Sequence, residues 1–419
     1  MKKIVAQSTQ RFDVIVVGGG AAGMMAAGRS AERGKRVLLL EKNKTLGAKL
    51  AISGGGRCNI LNAEFDLHVL LKQYGPAAKF LFSPFTVFGA REAMDFFEQR
   101  GLPLIVEMGS RAFPATQRAE DVVATLEKYA RDNRVVVRVG SGVAQVITEK
   151  SRVTQVVAGG ERFVGETVVL ATGGLSHQET GSTGDGFNWL RMLGHQVQPP
   201  TPTIVPLAVG ERWVKNLAGT TLLNVKITFF NQGKKQFTKR GNVLCTHFGI
   251  SGPLILNSAG RVADLLQAGV VTGQMDFFPE LDLGTLEKQL IVLFDSHKNK
   301  DLKNTLKHFL PPGTAAELLA LASVRDPNLK VHSVTRDERK YLAGLFKAVP
   351  FTVAGLMGFD RAVVADGGVP LTEIDPRTFR SRIIDNLFIV GDLLHINRPS
   401  GGYSLQLCWT SGYVAGNSI

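Results

Sequence analysis

The residues of this 419-residue chain that most suggest chemistry lie in a glycine-rich turn near its start. Asp13-Val-Ile-Val-Val17 is a continuous apolar run, the texture of a strand buried on both faces of a parallel sheet. It runs into Gly18-Gly19-Gly20-Ala21-Ala22-Gly23, and small residues with helical texture continue to Arg33-Gly34. The next strand, Arg36 to Leu40, ends at Glu41-Lys42. In such a turn Gly18 makes the tight bend, and Gly20 lets the backbone approach a pyrophosphate. Gly23 lets helix and strand pack closely. The helix start at Ala21 and Ala22 offers partial positive charge to an anion. Glu41 stands where a carboxylate can accept hydrogen bonds from ribose hydroxyls, with Lys42 beside it. Strand, turn, helix and acidic residue are in register, which is the pattern of a dinucleotide-binding unit.

Two later strand ends choose the cofactor. Val168-Val-Leu-Ala-Thr-Gly-Gly174 is a buried run entering a small-residue turn at Ala171, Thr172 and Gly173. Leu387-Phe-Ile-Val-Gly391-Asp392 is a second, with the Asp392 carboxylate at its end. With the first unit they describe a long cofactor crossing the whole sheet, which means FAD; Val143 is placed at the same site. Gly159-Gly160-Glu-Arg-Phe-Val-Gly165 has the wrong spacing for a second unit. A separate nicotinamide domain is therefore not expected, and NAD(P)H is expected to reach the flavin from an open cleft.

The elements that position these residues read as an α/β protein. A discontinuous Rossmann-like FAD-binding domain occupies 1–195 and 370–419. Val-rich runs at Val143–Thr148, Arg152–Val157 and Arg162–Ala171 form a meander returning to the main sheet. After prolines 199, 200, 202 and 206 the texture turns β-rich, and 196–275 is read as an inserted, barrel-like domain. Residues 276–345 read as a small helical subdomain, and 346–369 as a return through the insert.

Composition narrows the classes. Apolar residues are 44% and charged residues 20%, ample for a packed core, which excludes disorder as the main state. The 46 glycines are clustered, not periodic, which argues against collagen. Cys58, Cys245 and Cys408 lie far apart, excluding a disulfide scaffold and a cysteine zinc site. The eight histidines show no metal spacing, and no metal is expected. Met1-Lys2-Lys3 opens no signal peptide, and Val14–Gly28 is too glycine-broken to span a bilayer, so a cytoplasmic protein is expected.

Gly47-Ala-Lys-Leu-Ala-Ile-Ser-Gly-Gly-Gly-Arg-Cys-Asn59 resembles the second motif of the BaiN/YhiN (RdsA-like) family of NAD(P)/FAD-dependent oxidoreductases. Ala171–Ser176, His247-Phe-Gly-Ile-Ser-Gly-Pro253 and Gly401-Gly-Tyr-Ser-Leu-Gln406 are similar to its other motifs. The resemblance spans nearly the whole chain. It implies a discontinuous FAD domain carrying a barrel-like insert and helices. One branch reduces a uridine of large-subunit ribosomal RNA, and others are linked to small-molecule reductions or amine oxidation. It also implies that the helix opening at Gly401, Gly402, Tyr403, Ser404 and Leu405 faces the flavin. The chain departs from the family after the last strand: Asp392 replaces Glu, and His395, Asn397 and Arg398 follow.

Ser53, Gly54, Gly55, Gly56 and Arg57 form a loop of backbone amides with one guanidinium, suited to an anion or the flavin's pyrimidine edge. Lys49 adds charge nearby. Reducing an enone or a uracil C5=C6 bond needs hydride on one carbon and a proton on the other. A positioned Cys, Tyr or His can give the proton. Cys58, inside the loop motif, and Tyr403 are the candidates; a packing role for Cys58 stays open, and Cys245 and Cys408 are assigned to the core.

Lys and Arg outnumber Asp and Glu by 49 to 36, a formal charge of +13. Residues 196–275 carry Arg212, Lys215, Lys226, Lys234, Lys235, Lys239, Arg240 and Arg261 against Glu211 and Asp264. Lys234, Lys235, Lys239 and Arg240 interleave with Phe237 as a nucleic-acid surface would. The first reading is an FAD enzyme using NAD(P)H to reduce a uridine of large-subunit ribosomal RNA to dihydrouridine. Its rivals are a small-molecule ene-reductase or amine oxidase on the same scaffold, and an RNA-binding protein with structural FAD.

Overall fold

The computed structural model describes residues 10–324, 326 and 329–419. The amino-terminal residues read against a signal peptide lie outside these. The chain divides into two compact units, Met1–Thr201 with Val363–Ile419, and Pro202–Ala362. The sequence reading sets the joins at 195/196 and 369/370. The proline pair 199–200 stays with the first unit because Gly367 packs on it: a Cβ at Gly367 would stand 2.6 Å from Pro200 Cα.

The first unit is built on a seven-stranded sheet. Its strands are β1 (Gln10–Val17), β2 (Val37–Leu40), β3 (Val136–Arg138), β4 (Val143–Glu149), β5 (Arg152–Ala158), β6 (Glu161–Leu170) and β7 (Leu387–Ile389). The order is β3-β2-β1-β6-β5-β4, with β7 also paired to β6. β1, β2, β3, β6 and β7 are mutually parallel, while β4 and β5 form the antiparallel meander into β6. Val14, Ile15, Val16, Leu38, Leu39, Val168 and Val169 are wholly buried, as apolar runs covered on both faces must be.

Helices α1 (Ala21–Glu32) and α2 (Tyr403–Ser418) pack on one another through small residues. A Cβ at Gly412 would lie 2.4 Å from the Ala22 carbonyl oxygen, and one at Gly416 2.6 Å from that of Ala26. Only glycine lets the two backbones approach this closely, and the contact fixes the C-terminal segment beside the first turn. A buried clasp holds the chain elsewhere in this unit: His195 Nδ1 bonds Glu373 at 2.7 Å and its Nε2 bonds Ser381 Oγ at 2.9 Å. Ser381 is 3% exposed, which denies this Ser-His-Glu arrangement a substrate.

In the second unit six antiparallel strands close a barrel in the order Leu207–Val209, Gly249–Ser251, Lys234–Thr246, Thr221–Asn231, Val271–Asp276 and Val349–Leu356. The sequence reading sets the helices at 276–345 apart as a subdomain. In the structure Leu286, Leu290, Leu318 and Phe346 share one core with the barrel's Val225, Phe229 and Ile250. Among the described residues no helix is long and apolar enough to cross a membrane.

The glycines separate two kinds of substitution. Gly412→Val should lower stability by ~1–3 kcal/mol through overpacking. Gly344, in helix Arg336–Lys347 with open space around its Cβ position, should behave oppositely, Gly344→Ala raising stability by ~0.5–1 kcal/mol. Urea unfolding of both variants checks this, and a Gly412→Val protein as stable as wild type contradicts the packing.

Candidate cofactor site

Three strands end together at one edge of the first unit's sheet. Gly18 N–H donates to Leu40 O at 2.8 Å, Ala171 N–H to Val17 O at 2.9 Å, and Val390 N–H to Leu170 O at 3.1 Å. Each bond carries the parallel ladder one step past its strand, so the turns after β1, β6 and β7 open side by side. One cavity is lined by residues from all three. Of the residues expected there, Gly18, Gly20, Ala21, Ala22 and Glu41 come from the first turn region, and Ala171, Thr172 and Gly173 from the second. Gly391 and Asp392 come from the third, Lys49 and Ser53 from the segment after β2, and Ser404 and Leu405 from the first turn of α2.

The residues of the cavity wall fit a dinucleotide. At Gly18, φ is +104° and a Cβ would stand 2.5 Å from the Ala171 carbonyl oxygen, so glycine is required by packing. At Gly20, the N-cap of α1, φ is an ordinary −82° and a Cβ would meet nothing within 4 Å. What glycine preserves there is open space in front of a helix N-terminus, where an anion is favoured. Glu41 Oε2 accepts from Gly19 N–H at 2.7 Å and Oε1 from Asn43 N–H at 2.7 Å, which aims the carboxylate along the cavity wall. Thr172 Oγ1 is buried in that wall with no hydrogen-bond partner among the described residues.

Lys42 and Val143 line a second, smaller cavity that shares Gly18, Glu41 and Thr172 with the first. Lys42 Nζ donates to Thr183 Oγ1 at 2.5 Å and to Asp185 Oδ2 at 2.9 Å. The sequence reading misses Asn43, Gly47, Thr180, Gly181, Ser182 and Cys408, all of which line the main cavity. The run Gly181-Ser-Thr-Gly-Asp-Gly186 is a turn signature and could have marked that wall. Cys408, read as core, is 9% exposed in the cavity lining, and burial followed by the neighbouring Asp392 pushes its thiol up to about 12.

Charge gathers where Lys49 meets Asp392 in the cavity wall. Asp392 forms an ion pair with Arg398, and its Oδ2 lies 3.6 Å from Lys49 Nζ. Burial pushes the Asp392 carboxyl up, but Arg398 and Lys49 outweigh it and hold the group below the usual carboxylate range.

Several expected residues stand outside the cavity wall. Gly23 packs against the Gly18 carbonyl, 1.8 Å from a would-be Cβ, in its helix–strand role. Gly54, Gly55 and Gly56 all have positive φ in a short turn after Ser53. Arg57 is committed elsewhere: it pairs with Glu107, donates from Nε to Gln117 Oε1 at 2.5 Å and stacks 4.3 Å from the Phe113 ring centroid. Cys58 is fully buried with φ +58°, and burial drives its thiol up to about 12. Gly401 and Gly402 shape the entry to α2; a Cβ at Gly402 would strike Leu61 at 2.3 Å. Tyr403 is half-buried, its ring edge-on to Tyr74 at 5.9 Å, and burial followed by Glu64 raises its hydroxyl above the usual range.

In the barrel, Lys234, Lys235 and Lys239 are exposed, with no ion pair among the described residues. Arg240 is spent on Glu280 and Asn224. Phe237 corrects the sequence expectation of an interleaved aromatic. It is buried in the barrel core, stacked at 4.8 Å on its cross-strand partner Phe229, and a register shift beside this pair breaks the alternation with Lys235, so the ring is withdrawn from base stacking. Among the described residues no group of three or more His, Cys, Asp or Glu is arranged to hold a metal ion.

A mostly parallel sheet with open space before its first helix and two further strand ends opening beside it is the fold of an FAD-dependent oxidoreductase. The chain belongs to the HI0933-like protein family, whose Rossmann-domain model matches residues 12–418. It is 30% identical over 411 residues to a 3-dehydro-bile acid delta(4,6)-reductase of Clostridium scindens, covering 96% of this chain and 98% of that protein. It is 29% identical over 414 residues to the ribosomal RNA dihydrouridine synthase of Escherichia coli, covering 98% of each. In fold it is similar to the 3-ketosteroid delta1-dehydrogenase of Sterolibacterium denitrificans, with a TM-score of 0.56 and 16% identity over 98% of this chain and 99% of that one.

Proposed function

We propose that this protein takes reducing equivalents from NAD(P)H and uses them to reduce a conjugated C=C bond, with a uridine of large-subunit ribosomal RNA as substrate. The observation that carries the reading is the cationic cluster in and behind the cavity wall, where Lys49 and Arg398 pair with Asp392 and Arg398 also bonds Ser404 in the first turn of α2. Positive charge and a helix N-terminus favour negative charge developing on a reduced ring system or a substrate carbonyl. Bound FAD supplies the two-electron hydride chemistry. Gly18, Gly20, Glu41, Thr172 and Gly173 would hold its nucleotide half, and Gly391, Asp392, Ser404 and Leu405 its ring end. Both kinds of named relative carry out or imply saturation of a ring C=C bond, which supports the reaction class.

The ribosomal substrate draws support from the dihydrouridine synthase relatives and from the exposed Lys234, Lys235 and Lys239, which have no ion pair among the described residues. With Phe237 inside the barrel, this surface offers phosphate contacts without stacking. That, and the bile-acid reductase relative, favour a second reading in which the substrate is a small enone. A cytoplasmic setting accords with the first.

We assign proton delivery to Tyr403 in place of Cys58. Tyr403 retains surface and a protonated hydroxyl at neutral pH, whereas Cys58 is sealed in the core. Tyr403→Phe should slow substrate reduction ~10²–10⁴-fold and leave flavin reduction by NAD(P)H near wild type. Cys58→Ala should leave turnover within a few-fold; the reverse pattern returns the role to Cys58.

The substrate is tested by mass spectrometry of large-subunit ribosomal RNA from cells lacking the gene. Loss of one dihydrouridine, restored by the wild-type gene, is expected, and an unchanged dihydrouridine content selects the small-molecule reading. Changing Lys234, Lys235 and Lys239 to Gln should flatten the salt dependence of RNA binding by as much as ~2 units for single-stranded contacts. Binding that keeps its slope places the RNA surface elsewhere.

A further inference from the structure

Arg398 stands behind the cavity wall and has no part in the glycine-turn reading of the site. It is 4% exposed, and its guanidinium is held on three sides. It ion-pairs with Asp392, donates from Nη1 to the Ile396 carbonyl at 2.6 Å, and donates from Nε to Ser404 Oγ at 3.1 Å. Asp392 and Ser404 line the cavity; Arg398 does not. Three acceptors at fixed angles match a planar guanidinium fork and not the single ammonium of lysine.

The bond to Ser404 has a directional consequence. A serine hydroxyl has one proton and two lone pairs, and Arg398 Nε–H occupies a lone pair. Among the described residues this is the one hydrogen-bond partner of Ser404 Oγ. The hydroxyl proton is left to an acceptor in the cavity that Ser404 lines. The charges add to this: Lys49 and Arg398 are two cations against the single carboxylate of Asp392, so the wall keeps one net positive charge.

We propose that Arg398 is a positioning residue for the flavin: it locks the Ser404 hydroxyl as a donor into the cavity and keeps the wall around Asp392 cationic, so that the cofactor is bound more tightly reduced than oxidised. This rests on the ring end of FAD lying at α2, as in the proposed function, and not on the identity of the substrate.

The test is the midpoint potential of the purified FAD-loaded protein by dye equilibration, with the dissociation constant for oxidised FAD measured beside it. No substrate enters the measurement, so failure of the uridine reading leaves it standing. Ser404→Ala should weaken reduced relative to oxidised FAD by roughly tenfold, the scale of one charge-assisted hydrogen bond. For a two-electron couple that is a potential ~30 mV more negative. Ser404→Thr should restore the wild-type value. Arg398→Lys, which keeps the charge and loses the fork, should shift the potential in the same direction as Ser404→Ala. The double variant Arg398→Lys/Ser404→Ala should fall no further than Ser404→Ala alone, because both act through one hydroxyl. An unchanged potential in Ser404→Ala overturns the proposal, including when FAD binding weakens equally in both redox states. Additive shifts in the double variant also overturn it. If Arg398→Lys does not fold, the Ser404 pair decides alone: a shift with Ala reversed by Thr supports the proposal, and no shift overturns it.

Discussion

The site depends on how closely backbone can approach backbone at the ends of β1, β6 and β7. A Cβ at Gly18 would press to 2.5 Å from the Ala171 carbonyl oxygen, and one at Gly391 would stand 3.2 Å from Ala22 Cβ. With glycine at these places the three turns lie side by side and form one wall. A larger residue at Gly18 would force the Ala171 contact open. The same constraint recurs between α1 and α2, where Gly412 and Gly416 let the C-terminal helix reach the first turn. Small residues in this chain are therefore of two kinds: those forced by packing and those, such as Gly20, that keep ligand space open.

Electrostatics then differentiates two sets of groups on the cavity wall. The first has the α1 N-terminus and the Glu41 carboxylate, already oriented by the Gly19 and Asn43 amides. The other has a buried anion between two cations, with α2 opening beside it. Asp392 is costly to bury alone, and Arg398 and Lys49 offset that cost while leaving positive charge over. A wall that combines a helix N-terminus with a cationic cluster suits a cofactor that carries both phosphates and a reducible ring.

Much of this was legible in the sequence because it rests on local pattern. The buried β1 run, the Gly18–Gly23 spacing, Glu41 and the two later strand ends each follow from chain-neighbour geometry, and all reach the same edge of the sheet. What was illegible depends on contacts distant in sequence. Arg57 reads as a ligand group until Glu107, Gln117 and Phe113 are seen to claim it. Phe237 reads as an exposed aromatic because a register shift in its hairpin is invisible from spacing. Cys58 lies in a ligand-like motif, yet a left-handed backbone there turns the thiol inward. Asn43 carries no periodic signal, and although Gly181–Gly186 reads as a turn, only the folded loop brings the two together, with Asn43 Nδ2 donating to Thr180 O at 2.9 Å.

The central claim is that the open space at Gly20 exists for the cofactor and for no structural reason. Purified wild type and Gly20→Leu can be compared for flavin released on denaturation, with the unfolding temperature of Gly20→Leu set against cofactor-stripped wild type. The account predicts one FAD per wild-type chain, and a Gly20→Leu protein that is colourless yet unfolds at the temperature of the stripped wild type. A Gly20→Leu protein that retains FAD at the wild-type ratio, or a wild type that releases FMN, would contradict it.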